Sequence, residues 1–469
     1  MRFSFPSLML WTACWSMLGP GALPRAIAAD PRPVVEVEDE VYTFESANNG
    51  AGPSWCHGST CLVRIGDDVF ASGLETLQDA KPLNNCRWML FHRTAAGWRR
   101  AYLDAEHRTR EPAPVAAFAG GPLFVSANPT LLTDRTSYSG PARPEILRFD
   151  PAAPAKPAET LLPQWAGKPA FTEHSYRSFA ADGPGRELVL LQNIDYTHAE
   201  WSFRDRDGRW AAQGKLVWPW GAEYDTPQPI RVCYPNVALA GRRLYFCGVS
   251  DIVEPYAKWR LAKKKITGQN WDFDFRRLFF TWSKDITAGK FEPWVEITGR
   301  DKTCGWIMPG DLWVAPDGDV HILWTERAID ERLRKEFFPD AKQSHTFGYA
   351  VVRDGKVALR RAVVELQEGQ RAVIASAGRF HATPDGRLFV IYFAAGTDAA
   401  GKSVSENRLV EVLPGGTFGK HVPVPLKRPF GSFFTATVRA GSAPSNILDI
   451  LGHATGAGST VSYARVRIE

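Results

Sequence analysis

Apolar and polar positions alternate along this chain in short bursts, and one phrase returns seven times: a small or polar start, four or five residues of strand, a turn marked by glycine, then a strongly apolar strand. It reads STCLVRIGDDVFASG at 59–73, VAAFAGGPLFVSA at 115–127, SFAADGPGRELVLLQ at 178–192, NVALAGRRLYFCG at 236–248, VAPDGDVHILW at 314–324 and ATPDGRLFVIYF at 382–393, with a looser TATVRAGSAPSNILDILG at 435–452. The turn glycines Gly66, Gly120, Gly183, Gly241, Gly318, Gly386 and Gly441 lie 54 to 77 residues apart. Further aromatic or β-branched runs split by a turn follow, such as WMLFHRTAAGW at 88–98 and EWSFRDRDGRW at 200–210. Two hairpins per unit suit a propeller blade and not a helical solenoid unit. The expectation is an all-β protein, a seven-bladed β-propeller of four-stranded antiparallel blades over residues 33–469.

The last unit stops after its third strand, VSYARVRIE at 461–469, while an unassigned strand, PVVEVEDEVYTF at 33–44, stands at the front. Pairing the two would close the ring and remove its free sheet edges.

Residues 1–28 read as a signal peptide: Arg2, an apolar stretch from about Leu8 to Leu18, then Ala26-Ile27-Ala28. A secreted or periplasmic protein with no membrane span, acting as a monomer, is the expectation. Six cysteines then remain of seven. Cys233 and Cys247 flank the turn at Ala240-Gly241 symmetrically, which predicts a disulfide between them, while the pairing of Cys56, Cys61, Cys86 and Cys304 stays open. A structural zinc on Cys56 and His57 lacks C-x-x-C support, and neither a metal nor a cofactor is expected. The net charge of +5, or +3 without Arg2 and Arg25, is too small to argue for nucleic acid.

Blade tips converge on one axial funnel, so residues preceding each phrase are candidate site groups. They include His57, His174, Tyr176, Arg177, Arg231, Tyr234, Asn236, Asp311, Arg379 and His381, joined by Asn193 and His198 from the turn after the second strand of blade three. Strand alternation would put His174 and Tyr176 on one face and Arg177 on the other unless the strand starts late. Two long excursions, 254–276 and 327–345, look like the walls of a groove, with Lys263, Lys264 and Lys265 read as a solvated face. Trp98, Trp210 and Trp294 suit packing between blades, whereas Trp55, Trp259, Trp271 and Trp306 lie in connections and suit a sugar face.

FRDRDGRW at 203–210 and, more loosely, SKDITAGKFEPW at 283–294 resemble the Asp-box, the turn motif of bacterial-neuraminidase-repeat propellers of the sialidase-like superfamily. The early F/Y-R-I-P sequence of sialidases is absent, since YRSF at 176–179 lacks the proline. In site chemistry the chain is similar to ulvan-lyase-type polysaccharide lyases, which place two histidines, a tyrosine and an arginine in the central groove. That resemblance implies catalytic roles for His174, His198, Arg231 and Tyr234, with Tyr256 and Arg276 or Arg277 competing for the last two. Their places at the blade tips and in the connections make Tyr176, Arg177, Asn193, Asn236, Trp259, Asp311, Arg379 and His381 the expected substrate contacts. The implied activity is β-elimination on a uronate-containing glycan, with a His or Tyr base and an Arg on the carboxylate.

Two other classes compete. A glycoside hydrolase would draw a carboxyl pair from Asp251, Glu254, Asp311 and Glu326. A non-catalytic propeller binding a glycan or a protein would show the funnel groups ion-paired to one another.

Overall fold

Six of the seven glycine-marked phrases form the first hairpin of a blade, whereas in the seventh the paired strands Phe430–Thr435 and Ile447–Ala454 are separated by a longer connection that carries Gly441. In the computed structural model, which describes residues 30–56 and 58–469, the inner strands are Leu62–Ile65, Val115–Ala117, Ser178–Asp182, Val232–Ala240, Trp306–Val314, Val373–Ala382 and Phe430–Thr435. Each begins an antiparallel four-stranded sheet, and the sixth blade carries one further short strand, Val422–Val424. Residues 1–28, read from sequence as a signal peptide, and His57 lie outside the described residues. No helix among those described is long and apolar enough to cross a membrane.

The front strand closes the ring as the outermost strand of blade seven. Pro33–Thr43 runs antiparallel to Thr460–Ile468, from Pro33 opposite Ile468 to Thr43 opposite Thr460. Tyr42 stacks on Phe91 of blade one at 4.9 Å, and its hydroxyl accepts from the Leu74 N–H, so the closing strand also locks the neighbouring blade. Between blades the core is apolar and aromatic. Trp88, Trp201 and Trp324 are fully buried there, and glycines make room for two of them: a Cβ at Gly214 would press on Trp201, and one at Gly348 on Trp324. Trp98, Trp210 and Trp294 likewise pack partly buried against core clusters.

The expected Cys233–Cys247 disulfide is absent. A bulge at Tyr234-Pro235 shifts the register, so Cys233 faces Val249 and Cys247 faces Asn236, and both thiols are free and buried.

Two chain segments fill the axis. From the mouth face, where inner strands begin, the segment before Leu62 crosses the ring: Thr60 Oγ1 donates to the Thr435 carbonyl, Ser59 Oγ accepts from the Phe179 N–H, and a Cβ at Gly58 would overlap the Pro235 carbonyl. From the opposite face residues 436–446 fold inward. The Ala117 N–H bonds the Ala440 carbonyl and the Ala181 N–H the Arg439 carbonyl, joining blades two and three to seven. Gly441 (φ +88°) is required here, because any Cβ would strike the Ala117 carbonyl.

His381 anchors this second segment through Nε2 on the Ser445 carbonyl at 2.7 Å, and burial pushes its pKa down to about 4. The unfolded chain, with an ordinary histidine near 6.5, therefore binds the proton first. Stability is fully present above pH 6.5 and falls between 6.5 and 4, by about 3 kcal/mol for this residue. His381→Gln, which keeps a donor for Ser445, is expected to flatten that part of the stability–pH curve by about one proton, as read by urea unfolding at stepped pH.

Candidate functional site

Among the described residues the axial funnel expected from sequence is filled. At its mouth a cavity of only 10 Å³ remains among Trp55, Cys56, Glu111, Pro112, Tyr176, Arg177 and Tyr234. Trp55 lies edge-on to Tyr234 at 5.7 Å and close to Tyr176 at 6.2 Å. Below it the polar residues are committed to the scaffold. Arg177 donates to the carbonyls of Pro112 and Ser126, both at 2.7 Å, and to Ser175 Oγ. Arg379 donates to the Phe433 and Gly310 carbonyls. Asp311 accepts from Arg439 Nε at 3.0 Å and from the Phe380 N–H at 2.9 Å. Asn236 is buried, and so is Asn193, whose amide donates to the Asp195 carbonyl. His381 sits at the far end of its strand, on the opposite face, because blade six begins at Val373 and not at the glycine-marked turn. Of these residues only Arg177 lines the mouth cavity; the others are held within the scaffold.

The rim of blades three and four brings the other candidates together. The inner strand does start late, at Ser178, and Tyr176 takes a left-handed φ of 38°, so alternation does not govern 174–177. Arg231 is buried beneath the ring of Tyr196 at 3.9 Å, with Tyr176 at 5.1 Å and Phe273 at 5.8 Å. Its guanidinium pairs with Asp251 at 2.9 Å, so the group proposed as a carboxylate clamp already holds one. Burial pushes the Tyr234 hydroxyl well above its ordinary value, which removes it as a base near neutral pH. The two histidines point to buried carboxylates: His174 Nδ1 to Glu173 at 3.1 Å and His198 Nε2 to Glu200 at 3.0 Å. Against the opposing cost of burial, hydrogen bonds from His174, Ser139 and Gly140 hold Glu173 at about 2.

The two excursions form one lobe and not opposing walls. Helix α1 (Ala257–Thr267) and helix α2 (Glu331–Phe337) pack through Trp259, Cys304 and Leu333. Trp259 is thus interior, 5.5 Å from Phe338 and 5.2 Å from the Arg276 guanidinium, and is no sugar face. Lys263 is interior as well, on Glu254 at 2.7 Å, while Lys258, Arg260, Lys264 and Lys265 remain exposed. Arg276, also buried, binds Glu254, Asp274 and Asp301.

Four exposed aromatic side chains occur among the described residues: Tyr138, Tyr196, Trp220 and Trp271. All four lie in mouth-side connections of blades two to four. Tyr196 and the Trp271 segment meet through Arg231 and Phe273. The hairpin bearing Trp220 is docked on the lobe by Tyr224 against Tyr256 at 5.5 Å and by Asp225 accepting from the Ala257 N–H. Of the four, only Trp271 was expected. Trp220 was signalled by the alternation in VWPWG at 217–221, which turns Trp218 into the core and Trp220 outward.

Fold and site together define a closed seven-bladed β-propeller with a filled axis and an aromatic, mouth-side rim. Solved structures that the chain resembles at low identity include a Penicillium chrysogenum alpha-L-arabinanase (12% identical, TM-score 0.41, covering 93% of this chain and 98% of that one), a Fusarium graminearum alpha-L-arabinofuranosidase (12%, TM-score 0.38, 93% and 98%) and a Synechocystis apocarotenoid oxygenase (9%, TM-score 0.41, 90% and 88%). No family model matches the sequence and no curated protein is similar to it, so neither the Asp-box repeats nor the ulvan-lyase type gains support there. The turn at 203–210 does have Asp205 accepting from the Asp207 and Arg209 N–H groups, between the third and fourth strands of its blade.

Proposed function

We propose that this chain is a carbohydrate-active propeller that takes a glycan across the mouth-side rim of blades two to four. The observation that carries the reading is the gathering of every exposed aromatic side chain among the described residues on that one face. Flat rings beside polar groups suit the apolar face of a sugar, whose hydroxyls then meet the surrounding amides and carboxylates. The exposed outer face of α1, with Lys258, Arg260, Lys264 and Lys265, adds positive charge next to Trp271 and favours an acidic glycan.

For chemistry on that glycan, hydrolysis is a better reading than β-elimination. The arginine assigned to the uronate carboxylate in elimination, Arg231, is spent on Asp251, so that set of groups lacks its clamp. Hydrolysis needs two carboxyls in different protonation states. Glu254 and Asp274 have such a split: burial pushes Asp274 up to about 6, whereas Arg276 and Lys263 hold Glu254 down against the cost of its burial. Both carboxyls are enclosed under the lobe.

Tyr196→Ala and Trp271→Ala are each expected to weaken oligosaccharide binding by about tenfold, since truncating an aromatic anchor costs over 1 kcal/mol. Calorimetric titration at two salt concentrations checks both the loss and the expected weakening with salt. Unchanged affinity in both variants would place the site elsewhere.

A further inference from the structure

Cys56 and Cys61 stand apart from the other thiols. Their Sγ atoms lie 3.2 Å apart, five residues apart in sequence, whereas Cys233 and Cys247 are offset in register and Cys304 rests on Arg276. Cys56 lines the mouth cavity and keeps part of its side chain open, while Cys61 is buried directly behind it. Both belong to the segment that seals the axis and that is tied to blades three and seven by Ser59 and Thr60.

We propose that Cys56 and Cys61 are a redox-active dithiol that closes to a disulfide by exchange with an external disulfide, pinning the axial segment in place. In the first step the Cys56 thiolate attacks one sulfur of the external disulfide and releases a thiolate, leaving a mixed disulfide on Cys56. In the second the Cys61 thiolate attacks Cys56 Sγ and releases the other thiolate. Two electrons pass to the external disulfide, and the two protons of the dithiol end on the released thiols. Sγ atoms at 3.2 Å need little movement to reach the bonded distance of about 2.0 Å. The pair is polarised: the hydrogen bond from Cys56, then Ser72, and the nearby Arg177 hold the Cys61 thiol below its ordinary value despite burial, while the same hydrogen bond and burial push the Cys56 thiol up, so the charge is favoured on the sulfur that attacks in the second step.

The test uses the full chain in buffers of graded reduced and oxidised glutathione, quenched with iodoacetamide under denaturing conditions. Both cysteines fall in the stretch 33–64, which carries no lysine or arginine before Arg64, so one tryptic peptide reports the pair. The expected result is that peptide lighter by about 2 Da and unalkylated at the oxidising end, with the remaining thiols alkylated. Cys61→Ser should instead trap glutathione on Cys56, and Cys56→Ser should leave Cys61 unmodified in the folded protein. Hydrogen exchange around Ser59 and Thr60 should slow on oxidation of the parent and not of either variant. Full alkylation of Cys56 and Cys61 across the whole range, or a stable glutathione adduct on Cys56 while Cys61 is present, would overturn the proposal. The parent titration decides the matter even if a serine variant does not fold.

Discussion

Arg276→Met is expected to cost about 3–5 kcal/mol of stability, because it removes one partner of a buried ionic cluster and leaves the others uncompensated. The guanidinium binds Glu254 at 2.7 and 3.2 Å, Asp274 at 3.2 Å, Asp301 at 3.0 Å and Cys304 Sγ at 3.1 Å, and Glu254 and Asp274 are fully buried. Without it, among the described residues Lys263 is the remaining cation on Glu254, and no other ion pair reaches Asp274. The pH dependence separates this account from a simple packing defect. Asp274 already has a raised pKa of about 6, and loss of Arg276 would raise it further. The folded variant then binds more protons than the unfolded chain above pH 4, so its stability should rise as pH falls from 7 to 5 and the deficit against the parent should shrink. Arg209→Met, which removes an exposed ion pair with Asp207, should change stability by less than about 0.5 kcal/mol. A deficit of under about 1 kcal/mol for Arg276→Met, or one independent of pH, would mean the cluster does not hold the lobe.

Removing residues 30–45 should abolish monomeric folding outright. The deletion strips Thr460–Ile468 of its partner along its whole length and uncovers Val461, Tyr463 and Val466, creating a long apolar edge at the seam of the ring. It also withdraws Tyr42 from Phe91 and Leu74, which leaves blade one held to blade seven by inner contacts such as Arg64 on Asp449 and Trp98 against Tyr463. Size exclusion and urea unfolding should show soluble aggregates and a broad transition in place of one cooperative step. A monomer with the parent's midpoint and slope would contradict the closure.

Much of the architecture was legible because a strand's period of two and the turn glycines repeat locally. The blade count, the hairpins and the closing strand all rest on such local signals, from Gly66 to Gly386. The site was less legible because it depends on long-range fillers with no local signature. Nothing in GSTCLVR at 58–64 or in TVRAGSAPSN at 437–446 announces that these segments cross the axis to meet Pro235 and Ala117. One bulged pair, Tyr234-Pro235, was enough to move Cys233 away from Cys247. Lys263 illustrates the limit of composition: in a run of three lysines it alone faces inward, because helical spacing puts it on the face of Trp259 and over Glu254. Likewise Arg231 read as a free clamp, since its counter-ion Asp251 is twenty residues away and comes beside it only through strand pairing.

The reading of the mouth-side rim as a glycan site is tested most directly by incubating the full chain and its Tyr196→Ala/Trp271→Ala double variant with a panel of neutral and acidic polysaccharides. Binding, released reducing ends and the absorbance of unsaturated uronate are followed together. The account predicts that the parent binds an acidic glycan and the double variant loses that binding by about a hundredfold, with any turnover releasing reducing ends without the chromophore. Equal binding by parent and variant, or a rising uronate chromophore, would contradict it.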